Sequence, residues 1–394
     1  YKTMYRSRIL DNKQLILLKQ GKGFFHIGAS GHEVAEVAVG INFKPGHDFA
    51  YPYYRDQAFC LSWGMTPTDM LLSFMARDDD PNSGGRQMPQ HFGSKDLNII
   101  SQSSPTGTQF LQAVGAGFAI KRDKSNAVVY VSAGEGTTSQ GDYHEALNWA
   151  SREKAPVIFH IEDNGYAISV PISDQVSGSS VFNISSGYDN LKRFNVDGTN
   201  FFETNLAFKE AVNRARSGKG PSVIVSNVVR LLPHSSSDDH KKYRSEKELK
   251  DDILRDPIEN FKKLCISEDI IKKDDFDKIE NDIKIEIDNC AEDVEGRTLP
   301  SPDTVSDYLY SENQSISSNS NHESRQINES IVMVDAINHA LSEELNYNKK
   351  MLIYGQDVAG GKGGVFTATK GLTDLYGDRV FNSPLAESSI IGTA

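Results

Sequence analysis

Two apolar runs of strand length frame the most regular part of the chain. Residues 127–133 read Ala-Val-Val-Tyr-Val-Ser-Ala, and residues 157–162 read Val-Ile-Phe-His-Ile-Glu. Between them, residues 140–153 place Tyr143, Leu147 and Ala150 on one helical face. Strand, helix and strand, with both strands almost continuously apolar, predict a parallel βαβ unit. A parallel crossover brings the carboxyl ends of both strands to one edge of the sheet. A second αβ pattern follows, with a short strand at 194–198, a helix over 200–217 and a strand at 222–229. Upstream, residues 1–20 are amphipathic through Ile9, Leu10, Leu15, Leu17 and Leu18, and predict a surface helix packed on a core. A helix is expected from about 33 to 40, and a small-residue helix over 113–119. Residues 21–31 are glycine-rich, 78–93 are polar and loop-like, and 166–187 are loop-rich. The fold class is α/β, a parallel sheet flanked by helices.

The pattern changes after residue 245. Residues 245–300 are strongly charged helices without a motif, for which a solvated helical face is a sufficient reading. Residues 311–328 are rich in Ser and Asn and read as a flexible linker. Beyond it, Ile331, Val334, Ile337, Leu341 and Leu345 fall on one helical stripe. Residues 351–354 and 380–381 are strand-like, 360–364 form a glycine-rich loop, and a small-residue helix follows Pro384. We expect a first domain over 1–300, a flexible linker over 301–328, and the start of a second, similar α/β domain over 329–394. That second domain has too little sheet to be complete, so it is expected to be truncated. The opening Tyr1–Arg6 reads as the middle of a helix, so residues are expected before it.

The chain has 394 residues and a net charge of -12. That acidic balance argues against a nucleic-acid surface as the main function. No apolar run approaches a membrane span, and no signal-peptide core opens the chain. The three cysteines, Cys60, Cys265 and Cys290, lack metal-ligand spacing and read as free thiols in a reducing cytoplasm.

The chemistry sits at the strand ends. Gly134-Glu135-Gly136 follows the first strand of the βαβ unit, and Asp163-Asn164-Gly165-Tyr166 follows the second. Open α/β sheets bind ligands at this edge. Glu135, Asn164 and the Tyr166 carbonyl together offer three oxygens to Mg²⁺, whose octahedron two diphosphate oxygens and a water would complete. The plainer alternative is that Glu135 caps a helix and Asn164 closes a turn. Tyr51-Pro52-Tyr53-Tyr54-Arg55-Asp56 is either a packed aromatic turn or a ligand cluster. The turn at 103–109 precedes a helix and is a candidate ligand seat. The strand at 222–229 ends in Arg230, and the loop after it carries His234. A pairing of His234 with Asp238 or Asp239 would orient its ring.

With those motifs in order, the chain resembles the thiamine-diphosphate-dependent, decarboxylating first component of 2-oxo acid dehydrogenase complexes, of the branched-chain type. Residues 1–300 are similar to its alpha subunit and residues 329–394 to the beginning of its beta subunit, so the chain looks like an alpha–beta fusion, cut short. The resemblance implies a thiamine-diphosphate-binding fold followed by the start of a pyrimidine-binding domain. It implies that Tyr54, Arg55 and Arg230 hold the diphosphate. Ser104 and Thr106 would face the aminopyrimidine, and Gly134 and Gly136 flank the metal-binding Glu135. Asn164 and Tyr166 complete the Mg²⁺ set. Ser103, Pro105, Thr108 and Gln109 match a potassium-binding turn of the branched-chain subfamily. His234 would move protons during acyl transfer, and Glu387 would activate the cofactor through a pyrimidine nitrogen. For Glu387 a helix N-cap or a surface carboxylate is the local alternative.

The implied reaction is decarboxylation of a 2-oxo acid of the 3-methyl-2-oxobutanoate type, with acyl transfer to a lipoyl group of an acyltransferase core. The implied assembly is a homodimer equivalent to two alpha plus two beta subunits. Pyruvate or acetoin enzymes are the runner-up, and a truncated assembly module without turnover is the non-enzymatic rival. The family's second active-site histidine lies beyond the residues present, so this stretch alone is expected to be inactive. Ser235 stands at a position phosphorylated in some relatives, against the plainer reading of an unmodified loop serine.

Overall fold

The computed structural model describes residues 1–102, 104–310, 330–364 and 366–394. The expected linker lies, from 311 to 328, outside the described residues. Two compact units result, Tyr1–Pro302 and Asp303–Gly392.

The first unit is built on a five-stranded sheet of β1 (Phe49–Tyr51), β2 (Val129–Gly134), β3 (Val157–Asp163), β7 (Ser222–Asn227) and β6 (Lys192–Asp197), in that spatial order. Every pairing is parallel. A separate hairpin joins β4 (Tyr166–Ala167) to β5 (Val170–Pro171). Side chains alternate along each strand, so each strand feeds two cores. Val129, Val131, Val157, Phe159, Ile161, Val223 and Val225 meet Phe110, Leu111, Val114, Tyr143 and Leu147 of the helices Thr108–Arg122 and Gly141–Glu153. Val128, Tyr130, Ile158 and Ile224 face the other way, onto Phe59, Trp63, Phe208 and Val212 of the helices Gln57–Trp63 and Phe201–Arg216.

Three features depart from the sequence reading. β1 has only three residues between Asp48 and Pro52, too few for a periodic signal. The helix Lys273–Glu295 is not merely a solvated face, because Phe276, Ile283, Ile287, Ala291 and Val294 are buried. Its apolar residues recur at helical spacing, but abundant charges hide the stripe. The first helix, Lys2–Lys19, buries Asp11 and Gln14 alongside Met4, Leu10 and Leu17. Asp11 is satisfied there by Ser30 Oγ at 2.8 Å and His26 Nε2 at 3.1 Å.

The second unit pairs β8 (Ile353–Gly355) with β9 (Val380–Asn382) in parallel. Leu345, Leu372 and Val380 form its core, with Leu341, Met351 and Ile353 packed around them. Only the last turns of the helix Met333–Tyr347 lie on that core. Ile331 and Ile337, on the expected stripe, remain exposed because the two short strands extend no further beneath it. No helix among the described residues is long and apolar enough to cross a membrane.

Phe159 is fully buried between two helices and the sheet. We expect Phe159→Ala to destabilise the first unit by about 3–5 kcal/mol through lost transfer energy and the cavity left behind. Urea denaturation checks this.

Candidate functional site

Because the strands are parallel and in register, β1, β2, β3 and β7 end at one edge. β1 leads into Tyr53, Tyr54 and Arg55, β2 into Glu135, β3 into Asn164 and Tyr166, and β7 into Arg230. Val228 N donates to Asp163 O at 2.9 Å, which ties the exit of β7 to that of β3. Gly31 adopts φ +105°, and a β-carbon there would collide with the Val229 carbonyl oxygen. Its close approach docks the glycine-rich entry segment on the end of β7, where Leu231 N donates to Ser30 O at 3.1 Å.

Glu135 opens the short turn Glu135–Ser139 and is 1% exposed. Its Oε2 accepts from Asn164 N at 3.2 Å, while its Oε1 is buried without a hydrogen-bond partner. Burial, then repulsion from Asp163, pushes its carboxyl up to about 7. Asn164 Oδ1 accepts from Tyr166 N at 3.3 Å, so Asn164 does close the turn. Both plain roles are thus partly filled, yet Glu135 retains a buried oxygen that no protein donor satisfies. A carboxylate, an amide oxygen and a backbone carbonyl form an all-oxygen donor set that fits Mg²⁺. A β-carbon added at Gly134 would meet no protein atom closer than 3.9 Å, which leaves room beside Glu135. Gly136 has a packing reason instead, since a β-carbon there would collide with Ala167.

Two guanidinium groups face this edge. Arg55 is 2% exposed and Arg230 is 1% exposed. Arg55 donates from Nη1 to Gly28 O at 2.6 Å. Arg230 donates to Ile168 O at 3.0 Å and to Tyr243 Oη at 2.8 Å, and its Nε has no partner. Among the described residues neither is in an ion pair with a carboxylate. Burial and the charge of Arg55 lower the pKa of Arg230. The arrangement is electrostatically incomplete without an anion. The Tyr54 ring lies 5.4 Å from the Arg55 guanidinium and stands edge-on to His234.

His234 contacts Arg55, with Nδ1 3.1 Å from Nη2. Burial and the charges of Arg55 and Arg230 bring its pKa down to about 4, so the ring is neutral at pH 7. Asp238 does not orient the ring. Its Oδ2 accepts from the His234 backbone N at 2.7 Å and from Tyr243 Oη at 2.6 Å. The carboxylate therefore shapes the loop, and Arg55 faces the imidazole. Asp238 was visible in the sequence, but Tyr243 and its link to Arg230 carried no local signal.

The turn before Thr108–Arg122 is largely self-satisfied. Thr108 Oγ1 donates to Pro105 O at 3.1 Å, and Gln109 accepts from Gly107 N at 3.0 Å while donating to Ser132 O at 3.1 Å. Thr106 is exposed, and Ser104 Oγ meets His91 Nε2 at 2.7 Å. Ser103 lies outside the described residues. In the second unit, Glu387 opens the helix Glu387–Gly392 and accepts from Gln356 Nε2 at 3.1 Å. That hydrogen bond lowers its pKa.

Residues 1–303 match the family model described as dehydrogenase E1 component, and residues 329–394 match the transketolase pyrimidine binding domain. The chain is 36% identical over 310 residues to the 2-oxoisovalerate dehydrogenase subunit alpha of Bacillus subtilis (strain 168), covering 79% of this chain and 94% of that protein. It is 38% identical over 267 residues to the mitochondrial 2-oxoisovalerate dehydrogenase subunit alpha of Caenorhabditis elegans, covering 67% of this chain and 61% of that one. It is 30% identical over 312 residues to a pyruvate dehydrogenase E1 component subunit alpha of Staphylococcus epidermidis, covering 78% and 80%.

The raised carboxyl of Glu135 has a measurable sign. Between the ordinary value of 4.5 and about 7, the folded protein holds a proton there that the unfolded chain has released. Without metal, this group's contribution to stability is therefore fully present below about pH 4.5 and lost as pH rises through about 7. We expect urea denaturation to show a shallower fall over that window in Glu135→Gln than in the unchanged protein. Added Mg²⁺ should restore stability at pH 8 only where Glu135 is present.

Proposed function

The chain belongs to the dehydrogenase E1 component family, and on that premise we propose that it decarboxylates branched-chain 2-oxo acids and passes the acyl group to a lipoyl carrier. It is an oxidoreductase of the thiamine-diphosphate-dependent 2-oxo acid dehydrogenase class. The observation that carries the proposal at the site is the pair of buried arginines, Arg55 and Arg230, with no carboxylate partner among the described residues. A diphosphate supplies the missing charge, and guanidinium groups suit its oxygens. The branched-chain substrate class is supported by the two relatives of that name.

When bound, thiamine diphosphate supplies the electron sink that carbon–carbon cleavage needs. In our reading, Glu135, Asn164 and the Tyr166 carbonyl would hold Mg²⁺, while Tyr54, Arg55 and Arg230 would bind the diphosphate. Gly134 leaves space for that approach. Ser104 and Thr106 would contact the aminopyrimidine, and the turn with Pro105, Thr108 and Gln109 would hold K⁺. Its oxygens already serve the turn, so the ion would brace existing geometry. His234, neutral at pH 7, accepts and returns a proton during acyl transfer. Glu387 would serve a pyrimidine nitrogen of the cofactor. We read the two family matches, in their order along one chain, as an alpha subunit fused to the start of a beta subunit. Two such chains would assemble as the counterpart of two alpha and two beta subunits and work with a lipoyl-bearing acyltransferase core. The three free thiols suit a cytoplasmic setting.

The test is a rate comparison on the intact protein with a lipoyl acceptor. 3-Methyl-2-oxobutanoate is expected to be preferred over pyruvate by at least about 10-fold, the scale of a few methylene contacts. Equal rates would remove the branched-chain assignment. His234→Ala should lower acyl transfer by about 10²-fold or more.

A further inference from the structure

We propose that His32, Glu36 and Glu162 form a second cation site, for a divalent ion of the first transition series. The proposal stands independently of the function above. His32 and Glu36 lie four residues apart, at the start and in the first turns of the helix Glu33–Gly40, and so share a helix face. Glu162 comes from β3, on the opposite face of that strand from Asp163. All three are 0% exposed. One donor atom from each lies within 4.8 Å of the other two. Ligands about 2 Å from a common ion fall within that spread.

The second observation is an orphaned atom. Glu36 Oε1 is buried and has no hydrogen-bond partner. Native interiors rarely leave such atoms unpaired. Other atoms of the three side chains are firmly placed. Glu36 Oε2 accepts from Ala58 N at 2.7 Å and Phe59 N at 3.1 Å, and His32 Nδ1 meets Glu162 Oε2. The Nδ1 side of the ring thus faces Glu162, so an ion held by both residues would sit at Nδ1. Asp56 adjoins the cluster, its carboxyl hydrogen-bonded to that of Glu162. Its Oδ2 is held by Ser132, and Tyr130 Oη donates to it at 3.3 Å. It is a ready fourth donor.

The donor set decides the ion. An imidazole nitrogen with carboxylate oxygens favours Zn²⁺ or its neighbours over Mg²⁺, which takes oxygen. With no exposure to solvent, the site is closed and its role is structural. It would pin the helix Glu33–Gly40 to β3. Tyr53 Oη, 3.3 Å from Glu162 Oε2, extends that brace to the turn that carries Tyr54 and Arg55.

The intact protein, purified without chelator and dialysed against metal-free buffer, is assayed for zinc, manganese and iron by mass spectrometry. It is then titrated with Co²⁺ alone and followed by visible absorbance. We expect about one tightly held equivalent per chain, retained in Glu135→Gln and reduced about 10- to 100-fold in affinity in His32→Ala and Glu36→Gln. Glu36→Gln preserves shape, and circular dichroism confirms that each variant is folded. For any variant that fails to fold, X-ray absorption of the wild-type cobalt form must show a nitrogen–oxygen shell containing one imidazole. A wild-type protein that holds no metal and takes up no Co²⁺ overturns the proposal, as does metal binding that both folded variants retain. The carboxyls would then be held by shared protons.

Discussion

Parallel pairing in register is the constraint on which the rest depends. β1, β2, β3 and β7 run the same way, so their carboxyl ends share one edge. Each end hands over a different chemical group: an aromatic–guanidinium turn, a carboxylate, an amide and a second guanidinium. None of these groups is near another in sequence. A reversed strand would send its group to the far edge, and a shifted register would move it by more than about 3 Å per residue. The continuous burial of both faces, by helices packed on Val129 to Ile161 and on Tyr130 to Ile224, is what holds that register.

The electrostatics of this edge then follow from burial. Arg55 and Arg230 repel one another in a poorly solvated place, and burial together with their joint field keeps His234 neutral. Glu135 is too buried to remain ionised cheaply and has one oxygen with no partner. Two guanidinium groups outside any carboxylate ion pair and a buried acid with an unpartnered oxygen share this edge. A magnesium diphosphate would satisfy all three, which is why the proposed cofactor explains more than separate structural roles for each residue. Asp238 and Tyr243 add the loop geometry that holds His234 against Arg55.

Much of this was legible in the sequence. The two apolar runs and their helix gave the βαβ unit, and the strand ends at Gly134, Asp163 and Asn227 followed closely. Glu135 and Asn164 were therefore assigned to one edge by the apolar pattern alone, and Arg230 to the end of a further strand. β1 escaped because three residues carry no period, although it delivers Tyr54 and Arg55. The buried stripe of Lys273–Glu295 was masked by charge. The polar cluster of His32, Glu36, Asp56 and Glu162 was illegible for a different reason. Its members come from a helix, a turn and a strand, and only tertiary packing assembles them. His160 and Glu162 looked like the tail of an apolar strand, while the alternation of β3 puts both on the face opposite Phe159 and Ile161.

The central claim is that the strand edge is completed by a metal-bound diphosphate. Isothermal titration of the intact protein with thiamine diphosphate, with and without Mg²⁺, tests it most directly. We expect binding that requires Mg²⁺ and that Glu135→Gln weakens by at least about 10-fold, since losing a ligand costs no less than losing one of its outer-shell partners. Binding of equal strength without Mg²⁺, or unchanged in Glu135→Gln, would contradict it.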